Sequence, residues 1–315
     1  DKVVDVPDTI MDTSKWKKIK EGGWECRPGP MFSGWDPYEN IPTTTQKAVD
    51  YVKKQANDDK PFFLYFAFPS PHAPIIPNDE FDGKSGAGPY GDFVYETDDS
   101  CGRILRALEQ SGQADNTMVI FTADNGPEKY AYKRDERFNH WSAEPFRGLK
   151  RDIYEGGHHV PLIIKWPGVT KAGSTCNKLV SQIDFMGTIA SSLGYQLPDD
   201  AAEDSHDILP LLHGKNKSPR VVHVHNTRVD AWAIRVGEWN LVTGKSGYHS
   251  GRVKIWEEKR NYPADDDDSV ELYHYAKDLS QRNNLAKKFP KKVEDLKREL
   301  KVARERDFTA PRLLK

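Results

Sequence analysis

Met118-Val119-Ile120-Phe121-Thr122-Ala123-Asp124-Asn125-Gly126 is the stretch on which the reading of this chain turns. An apolar run of strand type stops at a carboxylate, an amide and a glycine. Asp124 and Asn125 thereby offer two hard oxygen ligands, suited to Ca²⁺ or Mg²⁺, where a sheet strand passes into a loop. In open α/β sheets that edge, beyond the carboxyl ends of the strands, is where ligands sit. Asp-Asn-Gly by itself is also an ordinary turn, because Asn and Gly tolerate positive φ. Further on come Gly148-Leu149-Lys150 and Glu155-Gly156-Gly157. Glycines let the backbone approach a ligand closely, and Lys150 can neutralise a tetrahedral anion. The two loops together suggest an anion held between a metal and an ammonium group.

Upstream, Pro61-Phe62-Phe63-Leu64-Tyr65-Phe66-Ala67-Phe68 is nearly continuous and apolar. Such a run predicts a central parallel strand covered on both faces. It ends in Pro69-Ser70-Pro71-His72-Ala73-Pro74, whose prolines stop a ladder and stiffen the loop carrying His72. An imidazole held there can donate a proton near neutrality; a packed loop histidine is the plainer reading. Helices are expected over 43–55, with Thr44 or Thr45 near the cap, over 92–111 and over 183–193. Strands are expected over 117–122 and 161–166. Strand, helix, strand, with ligand-type residues at strand ends, is a doubly wound α/β layout. After residue 215 the texture changes to short alternating stretches, Val221–His225, Ala231–Arg235 and Trp239–Val242, which read as an antiparallel sheet. The division is therefore 1–215 for the α/β part, 216–290 for a small antiparallel-sheet subdomain, and 291–315 for a terminal helix and tail. That helix, Lys291 to Arg304, covers something through Val293, Leu296 and Leu300.

The 315 residues hold 46 Lys plus Arg against 48 Asp plus Glu, so no global positive field recruits nucleic acid or an anionic membrane surface. The apolar run at 61–68 falls well short of the roughly 20 residues that cross a bilayer. Cys26, Cys101 and Cys176 are odd in number and widely spaced, so at most one disulfide forms and the redox compartment stays open. Asp1-Lys2-Val3-Val4-Asp5 has neither an initiating Met nor the apolar segment of a signal peptide, a start compatible with a processed or truncated chain. Within 1–42, Trp16, Trp24, Trp35, Phe32 and Tyr38 read as aromatics pinning a long loop, with a substrate cleft as the alternative. Asp265–Asp268 reads as a solvated loop. His140-Trp141-Ser142, with Arg147 close behind, are candidates to contact the anion or its carrier, although packing explains Trp141 equally well. His158-His159 is a poor metal pair because adjacent side chains diverge, one inward and one outward.

These pieces in this order resemble the formylglycine-dependent sulfatases of the alkaline phosphatase superfamily. The resemblance rests on Ser70-Pro71-His72-Ala73-Pro74, on Thr122-Ala123-Asp124-Asn125-Gly126, and on Gly148-Leu149-Lys150 running to Glu155-Gly156-Gly157 and Val160-Pro161. Trp166-Pro167-Gly168, Gln182-Ile183-Asp184, Leu209-Pro210-Leu211-Leu212 with Gly214, and Leu272-Tyr273 through Asp278 to Asn283-Asn284-Leu285 add to it. It covers about 43–290. What it implies is an alkaline phosphatase-like α/β/α sandwich, partial in this chain, with a smaller C-terminal antiparallel-sheet subdomain. It implies one Ca²⁺ with Asp124 and Asn125 as ligands, His72 on the bridging oxygen, and Lys150 holding sulfate. The nucleophile would be a hydrated formylglycine made from Cys in a Cys-x-Pro/Ser-x-Arg sequence. That sequence is absent: Cys26-Arg27-Pro28-Gly29-Pro30 ends in Pro and lies in the wrong order. Also absent are the paired Asp ligands of an amino-terminal strand.

The expectation is therefore the carboxyl-terminal portion of a sulfatase, completed by a preceding segment or companion fragment and inactive alone. His159 stands where relatives commonly carry Arg, which weakens a local ion pair. Tyr130, Tyr132, Lys133, Arg134, Arg137 and His140 suit sugar rings and further anionic groups, so Arg134, His140, Trp141 and Arg147 are the substrate-contact candidates. The implied substrate is a sulfated carbohydrate, algal or other polysaccharide, and the implied location periplasmic or secreted. A phosphatase or phosphodiesterase on the same scaffold is the alternative, though it would place His after the strand-end Asp for a second zinc. A non-catalytic sulfated-glycan-binding protein is another.

Overall fold

A computed structural model of the chain describes residues 5–12, 14, 16, 19–22, 28–198, 200–227, 231–244, 254–262, 270–306 and 308–310. Trp24, Cys26 and Asp265–Asp268 lie outside the described residues. In chain order the elements are β1 (Thr9–Ile10), β2 (Pro30–Met31), α1 (Asn40–Gln55), α2 (Gly88–Gln110), β3 (Val119–Thr122), α3 (Ala131–Phe138), α4 (Glu155–His158), β4 (Leu162–Lys165), α5 (Asp184–Ser192), α6 (Leu209–Leu212), β5 (Val222–Asn226), β6 (Trp232–Val236), β7 (Trp239–Thr243), α7 (Lys254–Lys259), β8 (Val270–His274) and α8 (Pro290–Glu305). They form a mixed α/β architecture with a smaller C-terminal antiparallel sheet. Contacts divide the chain into two compact units: Asp1–Thr117 with Tyr130–Ser142, and Met118–Lys129 with Ala143–Lys315. The expected boundary at 215/216 falls inside the second.

In the first unit, α1 buries Ile41, Thr45, Ala48, Val49 and Val52, the spacing of one helical face, and lies against α2. Ile41 and Phe93 of these helices close over Ile75 and Ile76 in one apolar cluster. The helix begins earlier than Thr43 because Asp36 starts it indirectly. Its carboxylate accepts from the Tyr38 amide at 2.9 Å, and the 3-10 turn Pro37–Glu39 that follows runs into α1. Thr44 is no cap; its hydroxyl donates back to the Asn40 carbonyl at 2.6 Å.

The expected central strand at 61–68 is corrected. No strand is assigned there, and exposure alternates along it, with Phe63 79% and Tyr65 81% exposed. Phe62, Leu64, Phe66 and Phe68 are half-buried. An alternation of period two is that of an extended chain with one face packed. Apolar content reports the capacity to be covered, whereas a strand also needs a hydrogen-bonding neighbour.

In the second unit, β3 and β4 pair antiparallel, from Val119↔Lys165 to Thr122↔Leu162, which corrects the parallel order expected for them. Apolar runs serve either direction; the path of the connection decides. Strands β5 to β8 form a meander in sequence order, all antiparallel. One face, Ile234, Leu241 and Leu272, is covered by Val293, Leu296 and Leu300 of α8, as the sequence predicted for that helix. The other face, Ala233, Val242 and Tyr273, packs on Ile153 and Tyr154. The sheet is thus the platform beneath the Gly148–Gly157 loop. Asp184 ties in α5: both its oxygens take Arg220, at 3.0 and 2.5 Å, and also the amides of Ser181 and His206. A buried carboxylate this fully bonded is compensated for its lost water.

Candidate active site

The end of β3 is held from the side. Gln182 Nε2 donates to Thr122 Oγ1 at 3.0 Å and to the Ala123 carbonyl at 2.5 Å. Asp124 is exposed and Asn125 half-buried. The Asn125 amide nitrogen donates to the Gly126 carbonyl at 3.0 Å, which leaves its oxygen as the ligand-type atom.

Gly126 then threads between the other loop's strands of backbone. Its amide donates to the Gly157 carbonyl at 2.9 Å, and a Cβ there would sit 1.8 Å from the Gly156 carbonyl oxygen. Gly156 is in the same position one layer further, with its would-be Cβ 2.1 Å from the Gly148 carbonyl oxygen. No side chain fits, and the obstacle is backbone, which cannot swing away. The Lys150 amide donates to the Pro127 carbonyl at 2.9 Å, and Arg151 pairs with Glu128 at 2.6 Å. Burial pushes the Glu128 carboxyl upward, but bonds from the Lys129 amide and Arg151 outweigh it and hold it below the usual range.

Asp124, Asn125 and half-buried Lys150 therefore ride on two loops joined by three clasps within one compact unit. The glycines at 148, 156 and 157 were legible in the sequence as a close approach. The Glu128–Arg151 clasp was not, because nothing local in the sequence couples those positions.

Glu155 shows what the double glycine is built on. It is buried; its amide donates to Gln281 Oε1 at 2.8 Å, and Tyr275 donates to its carboxylate at 2.5 Å. His158 and His159 were expected to diverge. Both instead face Glu155, at 3.4 and 2.6 Å, His158 lying against the His225 ring and His159 stacked on Phe146. Burial raises the Glu155 pKa, yet the two histidines outweigh it and hold the carboxyl well below its ordinary value.

Three substrate-contact expectations are corrected by burial. Arg147 is 1% exposed; it donates to Tyr273 at 3.1 Å, faces Glu257 and Glu271, and lies over the Tyr154 ring. Arg134 is 3% exposed, donating to Ser142 at 2.6 Å, facing Glu21 at 3.4 Å and lying over Tyr90. Trp141 is buried against Tyr132. Sequence shows charge and aromaticity, not which way they point.

His72 and His140 belong to the first unit. His72 is exposed, with Nδ1 2.6 Å from the Ala73 carbonyl, an arrangement that puts the proton on Nδ1 and presents Nε2 outward. Its loop is anchored on one side by Ser70 to Thr97 at 2.7 Å, and on the other by Ile75 bonded to Glu21 and Lys20. His140 is half-buried just after α3, which ends at Asn139 with φ 50.

The sulfatase family model matches residues 8–195 of this chain. The chain belongs to the sulfatase family. An N-acetylgalactosamine-6-O-sulfatase of Bacteroides thetaiotaomicron is 32% identical over 278 residues, covering 87% of this chain and 52% of that protein. The N-acetylgalactosamine-6-sulfatase of Homo sapiens is 40% identical over 209 residues, 61% of this chain and 39% of that one. A solved structure from work on glycosaminoglycan metabolism by Bacteroides thetaiotaomicron matches with TM-score 0.73 and 31% identity, over 86% of this chain and 56% of that one. A Pseudoalteromonas sulfatase structure, at TM-score 0.71 and 23% identity over 90% of this chain and 57% of that one, shares the fold. This sulfatase-family chain thus spans about half the length of its bacterial relative and less of the human one.

Proposed function

We propose that the protein containing this chain is a sulfuric ester hydrolase that removes sulfate from a sulfated carbohydrate. The observation that carries the reading is the interlock of the Asp124–Gly126 and Gly148–Gly157 loops, which holds two hard oxygen donors and an ammonium group on one rigid support. Among the described residues no group of three or more His, Cys, Asp or Glu side chains could hold a metal. Asp124 and Asn125 fit a hard cation by donor type and supply part of a Ca²⁺ shell, the rest coming from a preceding segment or companion fragment. Such an ion, when bound, polarises the sulfate oxygens.

Lys150 binds sulfate and stabilises charge on the bridging oxygen. His72, as an imidazolium that keeps Nδ1–H on the Ala73 carbonyl, donates its Nε2 proton to the leaving oxygen as the ester bond breaks, and His140 contacts the sugar. The nucleophile is a formylglycine outside this chain, and without it the chain is inactive. Because the relatives named above act on N-acetylgalactosamine 6-sulfate, that sugar unit is the first substrate to test. The location that suits a polymeric substrate is periplasmic or extracellular; among the described residues no helix is long and apolar enough to cross a membrane.

The test uses the full-length protein and measures released sulfate, with the mass of the nucleophile peptide and metal content read in parallel. We expect sulfate release, one calcium, and a kcat lowered about 10²- to 10³-fold by Lys150→Ala. Two transition metals with phosphate-ester turnover, or an unconverted nucleophile position, would overturn the reading.

A further inference from the structure

The start of α8 carries a dense cluster of positive charge. Lys287-Lys288-Phe289-Pro290-Lys291-Lys292 places four lysines in six residues around the first turn, where the helix has no acidic residue and no side-chain cap. Cations are disfavoured at that end by the helix dipole. Later in α8 charge is paired in the ordinary way, Lys297 with Glu294, Arg298 with Asp295, and Lys301 with Glu305. Lys288, Lys291 and Lys292 make no ion pair among the described residues.

Two of these lysines, Lys288 and Lys292, lie over aromatic rings. Phe289 is 37% exposed and meets Trp239 edge-on at 5.3 Å; Trp239 meets His274 at 4.7 Å. Lys288 lies 5.7 Å from the Phe289 ring and Lys292 5.9 Å from that of Trp239. Trp239 and His274 are register partners on β7 and β8, so these two rings are fixed to the sheet. The whole chain has a net charge of −2, so this basicity is local and placed.

We propose that Lys287, Lys288, Lys291 and Lys292, with Phe289 and Trp239, form a binding surface for a sulfated polysaccharide chain. It is made of residues other than those assigned to ester cleavage and holds the polymer without reacting with it. Ammonium groups on flexible stems act as point charges and accept sulfates at irregular spacing, whereas the exposed ring edge takes the apolar face of a sugar. Clusters of this density are the ordinary footprint of polyanion binding. The proposal rests on the hydrolase reading only for the choice of polyanion.

The experiment measures affinity of the full-length protein for dextran sulfate and for dextran, which differ only in sulfation, across a salt series. We expect binding to dextran sulfate alone, weakened at least tenfold in Lys288→Gln/Lys291→Gln/Lys292→Gln, with the slope of log affinity against log salt shallower by about two to three. Lys291→Glu should also weaken binding while leaving Tm equal or higher, since an acid suits that helix end; lost binding is then not lost folding. Sulfate release from a monosaccharide sulfate should be unchanged in both variants. Equal binding by wild type and the triple variant overturns the proposal, as does equally tight, lysine-dependent binding to duplex DNA or phosphatidylserine vesicles. Failure of sulfate release with binding intact overturns the hydrolase reading and leaves this surface standing.

Discussion

At the scale of single residues, the site is a problem of space. Gly126 does not have a left-handed φ; what it needs is room, because a Cβ would overlap the Gly156 carbonyl oxygen at 1.8 Å. Gly126→Ala should therefore destabilise the second unit by about 3 kcal/mol, the upper end for overpacking. A urea midpoint checks it, and a loss under 1 kcal/mol would show that the loops are not interlocked. The Asp-Asn-Gly and Glu-Gly-Gly triplets were legible as places of close backbone approach, although Glu155-Gly156-Gly157 begins the short helix α4 rather than a tight turn; their mutual contact was not legible, since a glycine in sequence does not say what approaches it. Arg134 and Arg147 make the same point from the other side. Their charge reads as surface, and only their aromatic and carboxylate neighbours show that both are buried.

At the scale of elements, β5 meets α4 through imidazoles. His225 tilts against His158 at 3.9 Å and stacks on His223 at 5.5 Å. Burial, with help from Arg220 and His158, pushes His223 down to about 4, and burial, with His158 and His223, holds His225 well below its ordinary value. Glu155 and Asp184 act the other way without prevailing. Both imidazoles are neutral when folded, so the unfolded chain binds more protons below the ordinary histidine value of 6.5. The contribution of His223 is fully present above that pH and is lost as pH falls toward 4, at up to about 1.4 kcal/mol per pH unit; His225 acts in the same direction. Urea titrations between pH 7 and pH 5, above the carboxylate range, should show this slope, and His225→Gln should make it shallower. A flat profile would mean that the ring cluster opens to water. Helix periodicity located α1, α2, α5 and α8 in advance; the pairing direction of β3 and β4 escaped it, because direction belongs to the connection rather than to the strand.

At the scale of the whole molecule, the 61–68 segment exposes Phe63 and Tyr65 while packing the residues between them. Replacing exposed side chains costs within about 0.5 kcal/mol, so Phe63→Ser with Tyr65→Ser should leave the stability of the isolated chain unchanged. It should also reduce its self-association, read by sedimentation, because exposed apolar edges pair with one another. A large loss of stability would instead place those rings inside the fold. The sequence by itself determined the family and the α/β core with its antiparallel C-terminal sheet, and it nominated Asp124, Asn125, Lys150 and His72 as the residues proposed to handle sulfate. Local spacing and residue type carry that information. Only tertiary structure decided that Gly126 and Gly156 nest, that Glu128 clasps Arg151, that two arginines and a tryptophan serve the interior, and that Lys292 lies over Trp239. Each of these joins positions far apart in the chain, and burial is a property of the packed surroundings rather than of the residue.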